Sequence, residues 1–146
     1  MEKAKPLDRI DRNILQLLQQ DGRLANVELA KAVGLSPTPC LERVRRLERD
    51  GYITGYVALA DPQKLNASTQ AFIQVSLTNT STENLRDFNA RISAMPEVEA
   101  CHMVAGGFDY LLKIRCSDML HYQQFPGEHL AAIPLVAQTH NYVVIE

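Results

Sequence analysis

Residues 26–51 read NVELAKAVGLSPTPCLERVRRLERDG, and this stretch decides how the rest of the chain is understood. Asn26 is placed to cap a short helix whose Val27, Leu29, Ala30 and Val33 face inward, and Gly34 supplies the left-handed residue that ends it. Leu35 fills the turn. Ser36 is placed to cap a second helix, with Pro37 in its first turn, where a missing N–H costs nothing. At about 100° per residue, Cys40, Leu41, Val44 and Leu47 share one side of that helix. Thr38, Pro39, Glu42, Arg45, Arg46 and Arg49 share the other, with Arg43 on a flank. One face packs, and the other is polar and cationic.

A recognition helix needs this division, because its first turn reaches base edges while arginines further along pair with guanine or hold phosphates. The candidates for base edges or the groove are Thr38, Pro39, Arg43 and Arg46, with Ser36 at the helix start. Arg23, Lys31, Arg45 and Arg49 are the candidates for phosphates. The competing reading is a solvated helix merely braced by pairs of Glu42 with Arg45 and Arg46. The preceding helix, the glycine turn and the SPTP start favour DNA.

Working outward, Leu7, Ile10, Ile14, Leu15, Leu17 and Leu18 recur at helical spacing, with Asp8 and Asp11 where a helix dipole favours anions. This predicts a first helix of about thirteen residues ending near Asp21-Gly22, after a charged, frayed start at residues 1–6. Beyond Gly51, YITGYVALA is rich in β-branched and aromatic residues and reads as a strand or hairpin, the wing of a winged domain. DPQKLNAS then marks a hinge.

The second half changes period. Residues 70–77, QAFIQVSL, alternate, with Ala71, Ile73, Val75 and Leu77 on the dry side. The run Thr80-Ser81-Thr82-Glu83 has the form of a capping box, and Leu85, Phe88, Ile92 and Met95 follow at helical spacing until Pro96. VEACHMVAG (98–106) and DYLLKIRC (109–116) flank a Gly106-Gly107 turn. Ser117-Asp118 caps a helix carrying Met119, Leu120, Tyr122, Phe125 and Leu130, and QTHNYVVIE is a last strand.

The order β-α-β-β-α-β packs two helices on one face of an antiparallel sheet. Its other face carries apolar residues such as Phe72 and needs a cover. A second copy of the same sheet supplies one and gives each half-site of an operator a recognition helix, so a two-fold homodimer is expected.

The quoted segments LDRIDRNIL, DGRLANVEL, VGLSPTPCLERVRRLERDG and GGFDYLLK resemble the Lrp/AsnC (feast/famine) family of transcriptional regulators over nearly the whole chain. The resemblance implies an α+β protein: a winged helix-turn-helix domain (1–60), a hinge-strand linker (61–68) and a βαββαβ ferredoxin-like RAM domain (69–146). It also implies homodimers that assemble further, as octamers or other multiples of dimers, and a free amino acid as effector, leucine being the first expectation. Double-stranded operator DNA is the implied partner, in the cytoplasm and on the nucleoid.

The effector site it implies lies near Gly106, Asp109, Tyr110 and Met119, with Tyr142, Val143 and Val144 nearby. The residues alone leave two readings of VAGGFDY (104–110) open. Glycines let backbone N–H groups approach a carboxylate while Asp109 takes an ammonium, or the hairpin simply needs positive φ and Asp109 pairs a lysine or caps backbone.

Three features depart from the family pattern. Gly107 stands where G-D-F-D-Y has its first acid, which puts effector choice in doubt; Pro126-Gly127 interrupts the last helix, predicting a kink; and the sequence ends at Glu146, right after the final strand.

Composition sets the remaining bounds. Net charge is −2, but residues 1–60 hold ten Lys/Arg against eight Asp/Glu and residues 61–146 hold five against nine, so DNA affinity belongs locally to the first part. Three cysteines without paired spacing suggest a reducing compartment, and no apolar run is long enough to span a bilayer. The four histidines lack metal-ligand spacing and no nucleophile or phosphate-loop signature is present, so neither a metal, a cofactor nor an enzyme is expected. Two other readings stay open: an architectural nucleoid protein without an effector, and an amino-acid-binding regulatory subunit of an enzyme.

Overall fold

The computed structural model describes residues 6–145; the frayed start expected at residues 1–6 and the last residue of the expected final strand fall, Pro6 apart, outside them. The chain divides into two compact units at Leu59/Ala60.

The first unit is three helices: α1 (Arg9–Gln20), α2 (Asn26–Val33) and α3 (Pro37–Arg49). Asp8 caps α1 reciprocally, its carboxylate accepting from Asp11 N at 2.8 Å while the Asp11 carboxylate accepts from Asp8 N at 3.1 Å. Ala25, not Asn26, is the N-cap of α2. Asn26 lies one residue inside and donates Nδ2 to Pro37 O at 2.8 Å, tying the start of α2 to the start of α3. Gly34 ends α2 at φ 73°, and Ser36 caps α3 in position only, since its hydroxyl accepts no backbone N–H.

Ile14, Leu29, Ala30, Cys40 and Leu47 form the core of this unit. Val27 and Leu41, expected to face inward, are exposed. The strand expected over 52–60 forms no ladder, because nothing in the described chain offers it a partner. Tyr52 N and Ile53 N return to Leu47 O, the Tyr56 hydroxyl reaches Glu48, and Val57 and Leu59 stand in solvent.

In the second unit, residues 61–67 form local turns, with Ala67 N bonded to Pro62 O. There follow β1 (Thr69–Leu77), α4 (Thr82–Ser93), β2 (Val98–Met103), β3 (Tyr110–Cys116), α5 (Met119–Phe125) and β4 (Val136–Val143). The sheet order is β2-β3-β1-β4, every neighbouring pair antiparallel. Ser81 caps α4, one residue later than the expected box, by accepting from Asn84 N. α5 stops at Phe125 and widens into a π turn over Pro126–Leu130, closed by Ala131 N on Pro126 O. Proline has no N–H to continue the α ladder, and the wider turn seats Leu130 in the core.

Strand alternation sorts the sheet into two faces. Ala71, Ile73, Val75 and Leu77 of β1, with Tyr110, Leu112, Ile114 and Cys116 of β3, pack on Phe88, Ile92, Phe125, Leu130 and Ile133. The other face carries Phe72 opposite Tyr142, Gln74 opposite His140, and Leu111, Lys113 and Arg115. Among the described residues the helix side chains of the core pack on the opposite face, not on this one.

Candidate DNA interface and effector site

Along α3 the exposed residues Thr38, Glu42, Arg45 and Arg49 fall at spacings of four, three and four, a single stripe within about 60° of arc. Arg43 and Arg46 do not belong to it. Arg43 Nη1 lies 2.6 Å from Asp8 Oδ2 and 2.8 Å from Asp11 Oδ1, and Arg46 Nη2 lies 2.5 Å from Asp11 Oδ2. The two arginines thus turn back onto α1, Arg43 from the flank where it was expected and Arg46 from the face expected to point outward. They sit on the flank between stripe and core, where a long side chain finds the Asp11 carboxylate before it finds solvent.

Asp11 is 0% exposed. Burial pushes its carboxyl up, but the Asp8 N–H and the guanidinium groups of Arg43 and Arg46 outweigh this and hold it below the ordinary range. Asp8, bonded by Asp11 N and Arg43, is held at about 2. The two depressed carboxylates are therefore ionised at physiological pH, facing the guanidinium groups. The outward cations of α3 are Arg45 and Arg49, the latter only 3.7 Å from Asp50. Ser36, Arg23 and Lys31 are exposed and Pro39 is half-buried. Glu42 and Leu41, at the exposed front of the helix, were not among the sequence candidates, although the helical wheel already put Glu42 on the outer face.

In the second unit Asp109 closes the end of the sheet. Its N–H donates to Val75 O, its carbonyl accepts from Val104 N, and its Oδ2 accepts from Leu77 N at 2.7 Å. Of the two readings of this turn, backbone capping by Asp109 is realised and positive φ is not: Gly106 and Gly107 are absent from the left-handed region, and a Cβ on either would meet nothing within 4 Å. Tyr110 is buried within the chain. Its ring is buried against Phe88 at 4.5 Å between centroids, because it faces the helix side of β3.

The remaining effector candidates split. Met119 is half-exposed where α5 begins, just beyond the pairing of Cys116 with Thr69; Tyr142, Val143 and Val144 lie at that same end of β1, opposite Phe72, Ala71 and Gln70. Gly106 and Asp109 lie at the Leu77 end, about five residues or ~17 Å along the strand from Tyr142. One chain does not bring the seven residues together. Among the described residues no three His, Cys, Asp or Glu side chains are grouped to hold a metal, and no helix is long and apolar enough to cross a membrane.

Residues 7–54 match a family model described as winged helix-turn-helix DNA-binding, and residues 70–146 match that of the Lrp/AsnC ligand binding domain. The chain belongs to the Lrp/AsnC family. The leucine-responsive regulatory protein of Salmonella typhimurium is 54% identical over 143 residues, 98% of this chain and 87% of that one. Among solved structures, a transcriptional regulator from Neisseria meningitidis in complex with L-Met superposes with a TM-score of 0.91 at 39% identity, covering 97% of this chain and 91% of that one. An AsnC family transcriptional regulator from Agrobacterium tumefaciens gives 0.89 at 38% identity, covering 96% and 91%. This Lrp/AsnC chain is accordingly a DNA-binding transcriptional regulator, and its relatives are regulators, not enzymes.

Proposed function

We propose that this Lrp/AsnC protein reads operator DNA as a two-fold dimer through Thr38, Pro39, Glu42, Arg45 and Arg49 of α3, and that a free amino acid, leucine first, tunes its assembly. The observation that carries the DNA reading is the exposed stripe on a helix held from behind by α1 and α2. In the major groove Arg45 pairs with guanine and Glu42 accepts from cytosine, while Arg49, Arg23, Lys31 and the Ser36 hydroxyl hold phosphates. Arg43 and Arg46 leave the list of readers, being spent on Asp8 and Asp11.

Two surfaces support pairing of chains. The open sheet face presents Phe72, Leu111 and Tyr142, the last 52% exposed, and Val57 and Leu59 are exposed beside a groove lined by Leu15, Leu18 and Tyr52. Apolar groups so placed favour a second copy.

The amino-acid reading rests on the β2–β3 turn. Glycine at 106 and 107 is demanded neither by φ nor by crowding within the chain, which leaves close approach of something outside it as the physical use. Because Gly106 and Asp109 sit at one end of β1 and Met119 and Tyr142 at the other, a pocket using both ends is built from more than one chain. Ligand binding and assembly are then linked, and a change of assembly changes how many recognition helices engage DNA together.

Calorimetry of the full chain with a panel of free amino acids, repeated with DNA present, tests this. Leucine is expected to bind and to shift both the sedimentation coefficient and the DNA affinity. Binding that leaves DNA affinity untouched would remove the regulatory link.

A further inference from the structure

The first unit holds its recognition helix with an ion cluster built on the buried Asp11 carboxylate, although its core is small. Among the described residues five apolar side chains are buried there, including the small Ala30 and Cys40. Apolar packing of that size is non-directional and sets the rotation of a helix about its own axis only loosely. The ion cluster is more specific, with Arg43 Nη1 donating hydrogen bonds to both carboxylates and Arg46 Nη2 held against Asp11 as an ion pair. Asp11 takes Arg43 on Oδ1 and Arg46 on Oδ2, Asp8 takes Arg43 on its own Oδ2, and the backbone N–H groups of Asp8 and Asp11 bind the same two carboxylates.

A buried ion pair is a poor source of net stability, because desolvation offsets much of the attraction. Its use is geometric. Arg43 and Arg46 are three apart on α3, so their convergence on one carboxylate fixes both the rotation and the axial position of that helix against α1. The same rotation decides whether Glu42 and Arg45 point along the outward stripe. A reading site tolerates misplacement of only about 0.5 Å.

We propose that Asp11 is a positioning residue for DNA reading: through Arg43 and Arg46 it sets the rotation of α3, and these two arginines brace the helix without contacting base edges. The inference rests on the DNA reading above. Asp8, half-exposed, is the outer half of the clamp.

The test uses the full chain and a duplex selected by the wild type from a randomised pool, with a scrambled duplex of the same length as reference. The readout is the ratio of the two affinities, together with the dependence of each on salt. Asp11→Asn is expected to lower the ratio about ten-fold or more while scrambled DNA binds as well or better. The freed guanidinium groups then reach phosphates, steepening the salt slope by roughly one to two. Asp11→Asn combined with Arg46→Gln is expected to lower the ratio no further, since both act through one contact.

If both affinities fall in parallel and the ratio stands, Asp11 is only structural and the inference is overturned. Tighter binding of Asp11→Asn to the selected duplex also overturns it, because the arginines would then be readers held in reserve. Should Asp11→Asn fail to melt cooperatively, Asp8→Asn and Arg46→Lys carry the same comparison; a retained ratio in both sinks the idea. A wild type that selects no sequence removes the DNA reading itself, a failure distinct from that of the clamp.

Discussion

Arg45 and Arg46 are adjacent in the chain and do different work. Arg45 stands in solvent on the outward stripe, and Arg46 is paired with a carboxylate that has no exposed surface. Arg45→Ala is therefore expected to cost about 1–3 kcal/mol of affinity for the preferred duplex and almost nothing in thermal stability. Arg46→Ala should lower the stability of the first unit by of order 3 kcal/mol, since it leaves Asp11 buried and half-paired. Equal melting temperatures for the two variants would refute this division. The clamp also predicts an acid dependence. Asp8 falls from the ordinary 3.8 to about 2 and Asp11 is likewise depressed, so their contribution is complete above about pH 4 and drains away as the pH falls toward 2. An Asp8→Asn variant followed by circular dichroism should lose stability less steeply than the wild type across that window; parallel curves would deny the pairing. Sequence placed Asp8 and Asp11 correctly near the start of α1 but could not see their partners. The Arg43 contacts span 35 and 32 residues, and a helical wheel shows direction without showing what waits there.

Most of the regular elements follow from local pattern. The alternation in residues 70–77 matches the buried row of β1, the strand-like run 109–116 contains β3, and the kink expected at Pro126-Gly127 is realised as an end of α5 at Phe125 followed by a π turn. Caps were less legible, because Ser, Asn and Asp compete for the same role. At the start of α2 the Asn26 side chain binds Pro37 O instead of capping, and at the start of α3 Ser36 occupies the cap position without its usual bond. Ser36→Ala should then change the melting temperature little, against the roughly 1 kcal/mol an N-cap ordinarily contributes. Asn26→Ala should cost about 1 kcal/mol by freeing the two helix starts from each other. The reverse ranking in urea titrations would restore Ser36 as a working cap. The strand expected for the wing forms no ladder for another reason: β propensity in residues 52–60 states a preference, and a ladder needs a partner, which the described residues do not offer.

For the whole molecule, sequence yielded the fold class but not how far apart one chain places the residues proposed for the effector. Tyr110 was drawn into the site by its place in the turn motif, whereas its alternation along β3 sends it to the core. The split of Gly106 and Asp109 from Met119 and Tyr142 depends on strand register, which no local pattern discloses. The open sheet face makes a prediction at this scale. Charge placed at its apolar centre, as Phe72→Glu with Tyr142→Lys left separate, should weaken self-association at least about ten-fold by desolvating an unpaired charge in the interface. Sedimentation of each single variant is the check, and an unchanged profile for both would free this face from any role in pairing.

The most direct measurement is a hydroxyl-radical footprint of the full chain on a duplex selected from a randomised pool. Two protected stretches separated by about 10–10.5 base pairs or a whole multiple of that spacing are expected, lost in Arg45→Ala and absent on scrambled DNA at the same salt. Unphased protection that is equal on selected and scrambled duplexes would contradict the reading of DNA by a paired α3.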